Sequence, residues 1–414
     1  MKKILNLSLV CLIFIFMGCK EPSNKITLTV KNESGIEQID SYLSVSVAEL
    51  KIVNSEFDEN KFALYDEDEL VPFQAIAADD GSQIGFVINL KPNENKTLTI
   101  NLGEEADISK LVNRTYAELG MKPLDVYIDG KFRGDKFENV TKIKVPEIHT
   151  DHDALFKYEG PGWESEKVGY RFYMDWRNAN DIFGKKVNQL VLANVGVHDT
   201  VAKDDSYHLM QDWGMDIFKV GSSLGIGSIG MWYDGKVNMV SQTDSVYFEI
   251  PHNGPIKSEI KTSYYGWQVG DNKYDLVSRI SITAGSRLTN CKINISANAE
   301  NIVTGLAKSE ATNFITNDDG EGWAYIALYG TQSVADPEDK LGIAVLYNQA
   351  DLIKFSEDKL SHIIQLKPEQ GKVEYYFCAA WEQEPYGITT EKDFIKYLNH
   401  TISLLNNPNV VELN

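Results

Sequence analysis

The chain has 414 residues, 43% hydrophobic and 24% charged, which excludes a disordered, collagenous or polytopic membrane protein and leaves room for two or three structural units. Its 40 Lys and Arg against 60 Asp and Glu give a net charge of −20. That field repels nucleic acid and excludes it as a partner, so any anionic ligand needs a local basic pocket.

Lys2 and Lys3, the mostly apolar run Ile4–Met17 and then Gly18-Cys19 read as an export signal too short for a comfortable membrane span. A small residue directly before such a cysteine matches the bacterial lipobox, in which the cysteine is acylated and becomes the mature first residue. Phe16 and Met17 stand where a lipobox carries Leu and a small residue. The expectation is a signal peptide over 1–18, a lipid on Cys19 and a polar tether over 19–25. The product is an outer-membrane lipoprotein facing the periplasm or the cell surface, with plain secretion the second reading. Cys11 leaves with the signal, so only Cys291 and Cys378 remain. Their strand-like surroundings favour two buried free thiols over the disulfide that an oxidising compartment permits.

Period-2 alternation dominates the rest. Ile26–Val30, Phe86–Leu90 and Thr97–Asn101 read as short strands between Gly, Asn and Pro turns, giving a small β-sandwich over 26–120. Asp129-Gly130 is a hairpin signal. From about 150 to 385 strands recur without intervening helices, which predicts a large antiparallel β-sandwich over 121–414, of the supersandwich or mutarotase-like kind. One helix is expected at the C-terminus. Thr390 caps it, Phe394, Leu398, Ile402 and Leu405 form its apolar stripe, and Asn406-Asn407-Pro408 stops it. The glycine-rich run 221–230 lacks the Lys-Ser/Thr end of a P-loop.

The densest chemistry falls in 151–186. A strand over Lys167–Arg177 puts Arg171, Tyr173, Asp175 and Arg177 on one face. That row is either a solvated sheet surface or a concave face whose arginines fork onto a sugar carboxylate or sulfate. His149 and His152 have metal-ligand spacing without a clear third ligand. The segment Tyr207–Asp216 gathers His208, carboxylates and Trp213. Alternation over Glu259–Trp267 puts Lys261, Ser263, Tyr265 and Trp267 together, and a Tyr beside Lys or Arg suits proton abstraction. No nucleophile elbow, P-loop, dinucleotide fingerprint or zinc helix is present.

The strings GPGWESEKVGYRFYMDWRNANDIFGKK and QDWGMDIFKVGSSLGIGSIGMW, with the later YYGW, resemble a family of uncharacterised exported lipoproteins encoded in polysaccharide-utilisation loci. One branch of that family looks like the oligosaccharide dehydratase of ulvan breakdown. The resemblance implies a carbon–oxygen lyase that removes water from a non-reducing-end glucuronic or iduronic acid, leaving a 4,5-unsaturated uronate. Its partners are uronic-acid-containing oligosaccharides, sulfated or not. The chemistry then asks for a clamp on the substrate carboxylate, assigned to Arg171 and Arg177 with Asp175 beside them. It asks for a base, His208 or Tyr265, and for an acid on the departing 4-hydroxyl, Tyr173 or His198. Trp163, Trp213 and Trp267 are the expected stacking rings. The scheme needs no cofactor and leaves room for a structural or Lewis-acid cation. An oligosaccharide lyase, a non-catalytic glycan-binding lipoprotein and an aldose epimerase are the rival readings.

Overall fold

The computed structural model describes residues 24–78, 81–107, 111–134, 136–197, 207–296, 298–318, 320–385 and 387–414. The fold is mainly β, with antiparallel pairing in every sheet and a C-terminal helix.

The N-terminal unit has two sheets. Strands Lys25–Lys31, Phe62–Asp66, Glu69–Leu70 and Asn95–Leu102 form one, and Gln38–Ser46, Phe73–Ile76 and Gln83–Leu90 the other. Alternation sends Ile26, Leu28 and Val30 into the gap, where they meet Phe86, Leu98 and Ile100. Sequence patterning missed the helix Val47–Val53, although its signal is plain in retrospect. Ser46 accepts from a backbone amide of the first turn and Glu49 reaches back to the Ser46 amide, a reciprocal cap. The first sheet takes its edge from the far end of the chain, Val410–Leu413 pairing with Leu28–Lys31. The strand Thr115–Glu118 pairs with Gly162–Ser165 and so belongs to the large unit. The small unit is tied down by Arg114, which forks onto Asp40 and also bonds Glu166.

The large unit is built on a nine-stranded sheet. Its order is Lys142–Lys144, Ser245–Asn253, Lys257–Val269, Asn272–Thr283, Leu288–Ile295, Lys372–Trp381, Leu341–Asn348, Trp323–Gly330 and Thr312–Asn317. Two five-stranded sheets cover one face. One runs through Gly162–Ser165, Gly169–Phe172, Asn180–Lys185 and Gly214–Asp216, the other through Gly230–Tyr233, Ile302–Ala307 and Ser361–Leu366. A shared core of Trp163, Tyr170, Ile260, Ile280, Ile302, Phe377 and their neighbours fills the space between. The helix Glu391–Asn406, capped by Thr390, lays Phe394, Leu398 and Ile402 on the opposite face. Asp129-Gly130 turns a two-residue hairpin with both residues at positive φ (52° and 75°), the geometry such turns require.

Candidate functional site

Two of the expected site residues are structural and a third is displaced, and the reasons are local. Trp163 is fully buried, stacked on Tyr170, with its indole nitrogen donating to Thr289. Trp267 is also fully buried, because the strand Lys257–Val269 carries a bulge between Tyr264 and Trp267. One inserted residue moves everything beyond it to the opposite face, so Trp267 turns into the core and Tyr265 stays outside, edge-on to Tyr247. Gly266 makes the bulge. It sits at φ 64°, and a Cβ there would come 2.1 Å from Asp244 Oδ2. Among the described residues Tyr265 therefore has no buried acid–base partner, and the proton-abstraction role expected for it does not fit its exposed place.

The expected strand over 167–177 is shorter, Gly169–Phe172, and ends in a turn over 173–178 that reverses into Asn180–Lys185. The Asn178 amide closes the turn on the Asp175 carbonyl, with Asn178 at φ 42°. Arg171 points inward and is 1% exposed. Every N–H of its guanidinium is occupied. Nε donates to Asp181, Nη1 to the Tyr158 carbonyl and the Tyr207 hydroxyl, and Nη2 to Asp181 and Asp216 at 2.8 and 2.5 Å. Arg177 is held by Asp175 and by Glu159. The two guanidinium groups thus face four protein carboxylates, Glu159, Asp175, Asp181 and Asp216. This corrects the expected arginine clamp. Both cations and Asp175 are used internally, and no surplus positive charge is left for a sugar carboxylate.

Tyr173 lies between the two guanidiniums, 4.6 Å from Arg171 and 3.8 Å from Arg177 to its ring centre. Its hydroxyl donates to Asp181 at 2.6 Å. Burial and the Asp181 charge push that phenol well above its ordinary value, so it is a poor acid for a leaving hydroxyl and its role is to orient Asp181. Burial and the Asp216 charge raise the Asp181 carboxyl to about 6, against the opposing pull of Arg171. Neither residue was distinguished as a pair by sequence, since Asp181 and Asp216 lie on different strands joined only by sheet pairing.

The cluster reaches solvent at both ends through histidines. His208 is 59% exposed and puts Nδ1 3.4 Å from Asp216 Oδ2. His152 is 72% exposed, with Nε2 3.7 Å from Glu159 and Nδ1 3.2 Å from Asp151. Glu159 in turn lies 3.8 Å from Arg171 Nη1. The result is a continuous line of charged and titratable groups, His152, Glu159, Arg171, Asp216, His208. Trp213 sits half-buried edge-on to Phe183, beside this cluster. His149 is instead buried between Asp153 and the Met174 carbonyl, so the His149 and His152 pair does not converge on a metal. Among the described residues no group of three or more His, Cys, Asp or Glu is placed to hold one. His198 and Cys19 lie outside the described residues.

Two solved structures from Enterococcus faecalis align with the chain, a protein in glycosyl hydrolase family 38 and an α-mannosidase. Each matches at TM-score 0.46 and 8% identity over 95% of this chain, and over 48% and 46% of its own length. The chain thus spans about half the length of those structures. "Uncharacterized protein P7" of Formosa agariphila is 22% identical over 438 residues, covering 99% of this chain and 98% of that protein. Residues 30–411 match the model of the family described as Domain of unknown function (DUF4861), and the chain belongs to that family.

Proposed function

We propose that this protein is a carbohydrate-active enzyme working by acid–base elimination, and within that class an oligosaccharide dehydratase acting on a terminal uronic acid. The observation that carries the acid–base part is the line of charged groups ending in two solvent-facing imidazoles, one backed by Asp216 and the other by Asp151 and Glu159. Imidazole is the side chain most often used as general acid and base. A carboxylate behind it fixes the ring and stabilises the cation formed when it takes a proton. In this reading His208 removes the proton alpha to the substrate carboxylate. The imidazolium so formed returns the proton to the departing 4-hydroxyl on the neighbouring carbon. Water leaves and a carbon–carbon double bond forms, so atoms and charge balance without a cofactor.

The uronate and ulvan part of the reading is supported by the sequence resemblance. The arginines take a positioning role, fixing Asp216 and Glu159 behind the two histidines. Attachment to the outer membrane through a lipid on Cys19 is proposed on the lipobox alone, and labelling with a radioactive fatty acid in the native host tests it.

The deciding experiment is mass spectrometry of uronate-terminated oligosaccharides after incubation, with ultraviolet absorbance followed in parallel. The expected product retains every sugar, has lost one water and absorbs as a conjugated enoate. A shortened chain would mean a lyase. An unchanged oligosaccharide would discard elimination for that substrate and leave the protein a binder.

A further inference from the structure

The turn that holds Tyr173 in the ion cluster also walls a separate cleft. This cleft has a volume of about 740 Å³, within the size range of small-molecule sites. Segment 145–150, turn residues 174–178, the connection 240–246 and the Gly266 bulge enclose it.

Trp176 stands on this wall with 47% of its surface exposed. The ring is set in the turn 173–178, between Asp175 and Arg177, which are paired with each other, so the backbone that carries it is held in place. Burial would raise the Asp151 carboxyl, and the bonds from Trp176, His152 and Thr150 outweigh it and hold it below its ordinary value. Asp151 contacts His152 at 3.2 Å, and its neighbour Thr150 lines the cleft, so the cleft borders one end of the charged line.

The remaining wall is polar, and its one lysine, Lys273, is already paired. Asn178, Gln242, Thr243 and Gln268 contribute amides and a hydroxyl. Each of the carboxylates on this wall is paired with a cation. Asp244 pairs with Lys273 at 2.5 Å, Glu147 with Lys144 at 3.2 Å, and Asp175 with Arg177. A charged ligand would have to break one of these pairs or lie beside a compensated one. A flat apolar face lined up with hydrogen-bonding groups fits a ring with hydroxyls at its rim and C–H bonds on its face.

We infer that this cleft is a binding subsite for the uncharged pyranose units of an oligosaccharide, with Trp176 as its stacking platform. The inference does not rest on elimination chemistry, since a glycan-binding lipoprotein would use the same surface. Binding is therefore measured without turnover. The mature chain is titrated calorimetrically with neutral tetrasaccharides of glucose, xylose, mannose and galactose, and with a glucuronate-terminated tetrasaccharide at low and high salt.

At least one neutral tetrasaccharide is expected to bind with little salt dependence. Trp176→Ala should weaken it at least tenfold, Trp176→Phe should fall between, and Tyr265→Ala, on the outside of the bulge, should leave it unchanged. The substituted ring is exposed, so both variants should fold, which circular dichroism checks. Failure of all four neutral sugars to bind overturns the inference, as does unchanged affinity in Trp176→Ala. Binding of the uronate sugar alone, lost at high salt, also overturns it and assigns the cleft to an anion.

Discussion

Asp181 and Asp216 place their Oδ2 atoms on the same nitrogen, Nη2 of Arg171, at 2.8 and 2.5 Å. Two buried carboxylates sharing one cation leave one negative charge in excess. Burial, with Asp216 adding to it, lifts the Asp181 carboxyl from its ordinary range to about 6. The folded state therefore holds a proton that the unfolded chain releases. That contribution to stability is complete below about pH 4 and is lost as pH rises through about 6, at about 1.4 kcal/mol for each tenfold difference in proton affinity. Asp181→Asn cannot ionise, so its urea midpoint should vary less across this window than that of the native chain. Parallel slopes in the two proteins would remove Asp181 as the group responsible.

His208 and Arg171 should separate chemistry from folding. Replacing the exposed imidazole by Ala should cost about 10²- to 10⁴-fold in turnover and leave the melting temperature nearly unchanged. Replacing Arg171 by Ala strands Asp181 and Asp216 in the interior, a loss of about 3–5 kcal/mol of stability. Turnover on the uronate oligosaccharide and thermal melts of both variants check the contrast, and full activity of His208→Ala would discard the proposed base.

Cys291 and Cys378 should never join. Cys378 pairs with Leu288 across the two strands, three residues from Cys291, and an odd offset puts the side chains on opposite faces of the sheet. Cys291 lies in the main core and Cys378 under the C-terminal helix. Burial also pushes the Cys378 thiol up to about 12. Neither should react with a thiol-specific dye until the chain is unfolded, and both should then react without reductant. A slow step released by reductant would contradict this.

Truncation after Asn409 should loosen the opposite end of the chain. It removes a four-residue pairing with Leu28–Lys31 and the contacts of Val411 and Leu413 with the small core. Two half-buried side chains contribute about 1–3 kcal/mol together. Amide exchange of residues 28–31 should accelerate while that of Ile280 and Ile293 in the large sheet does not.

How far the sequence reached follows from the range of each signal. Alternation at Ile26, Leu28 and Val30, the Asp129-Gly130 turn and the capped stripe from Thr390 to Ile402 are signals carried by neighbouring residues, and each element lies where its pattern put it. The row Arg171, Tyr173, Asp175, Arg177 was legible as unusual, yet its meaning was not. Spacing can place two arginines near one another but cannot say that Asp181 and Asp216, brought from other strands, have already taken the donors of Arg171. Trp267 failed for a related reason, since one bulge residue at Gly266 reversed the faces that alternation assigned.

The sequence by itself determined an acidic, mainly β chain with a terminal helix, because those properties follow from composition and from periods of two and 3.6 residues. Only the tertiary structure decided which charges face each other. It turned the arginines inward, put histidines at the surface and left Trp176 on a cleft wall. Sheet register joins residues far apart in the chain, and no local pattern records where those joins fall.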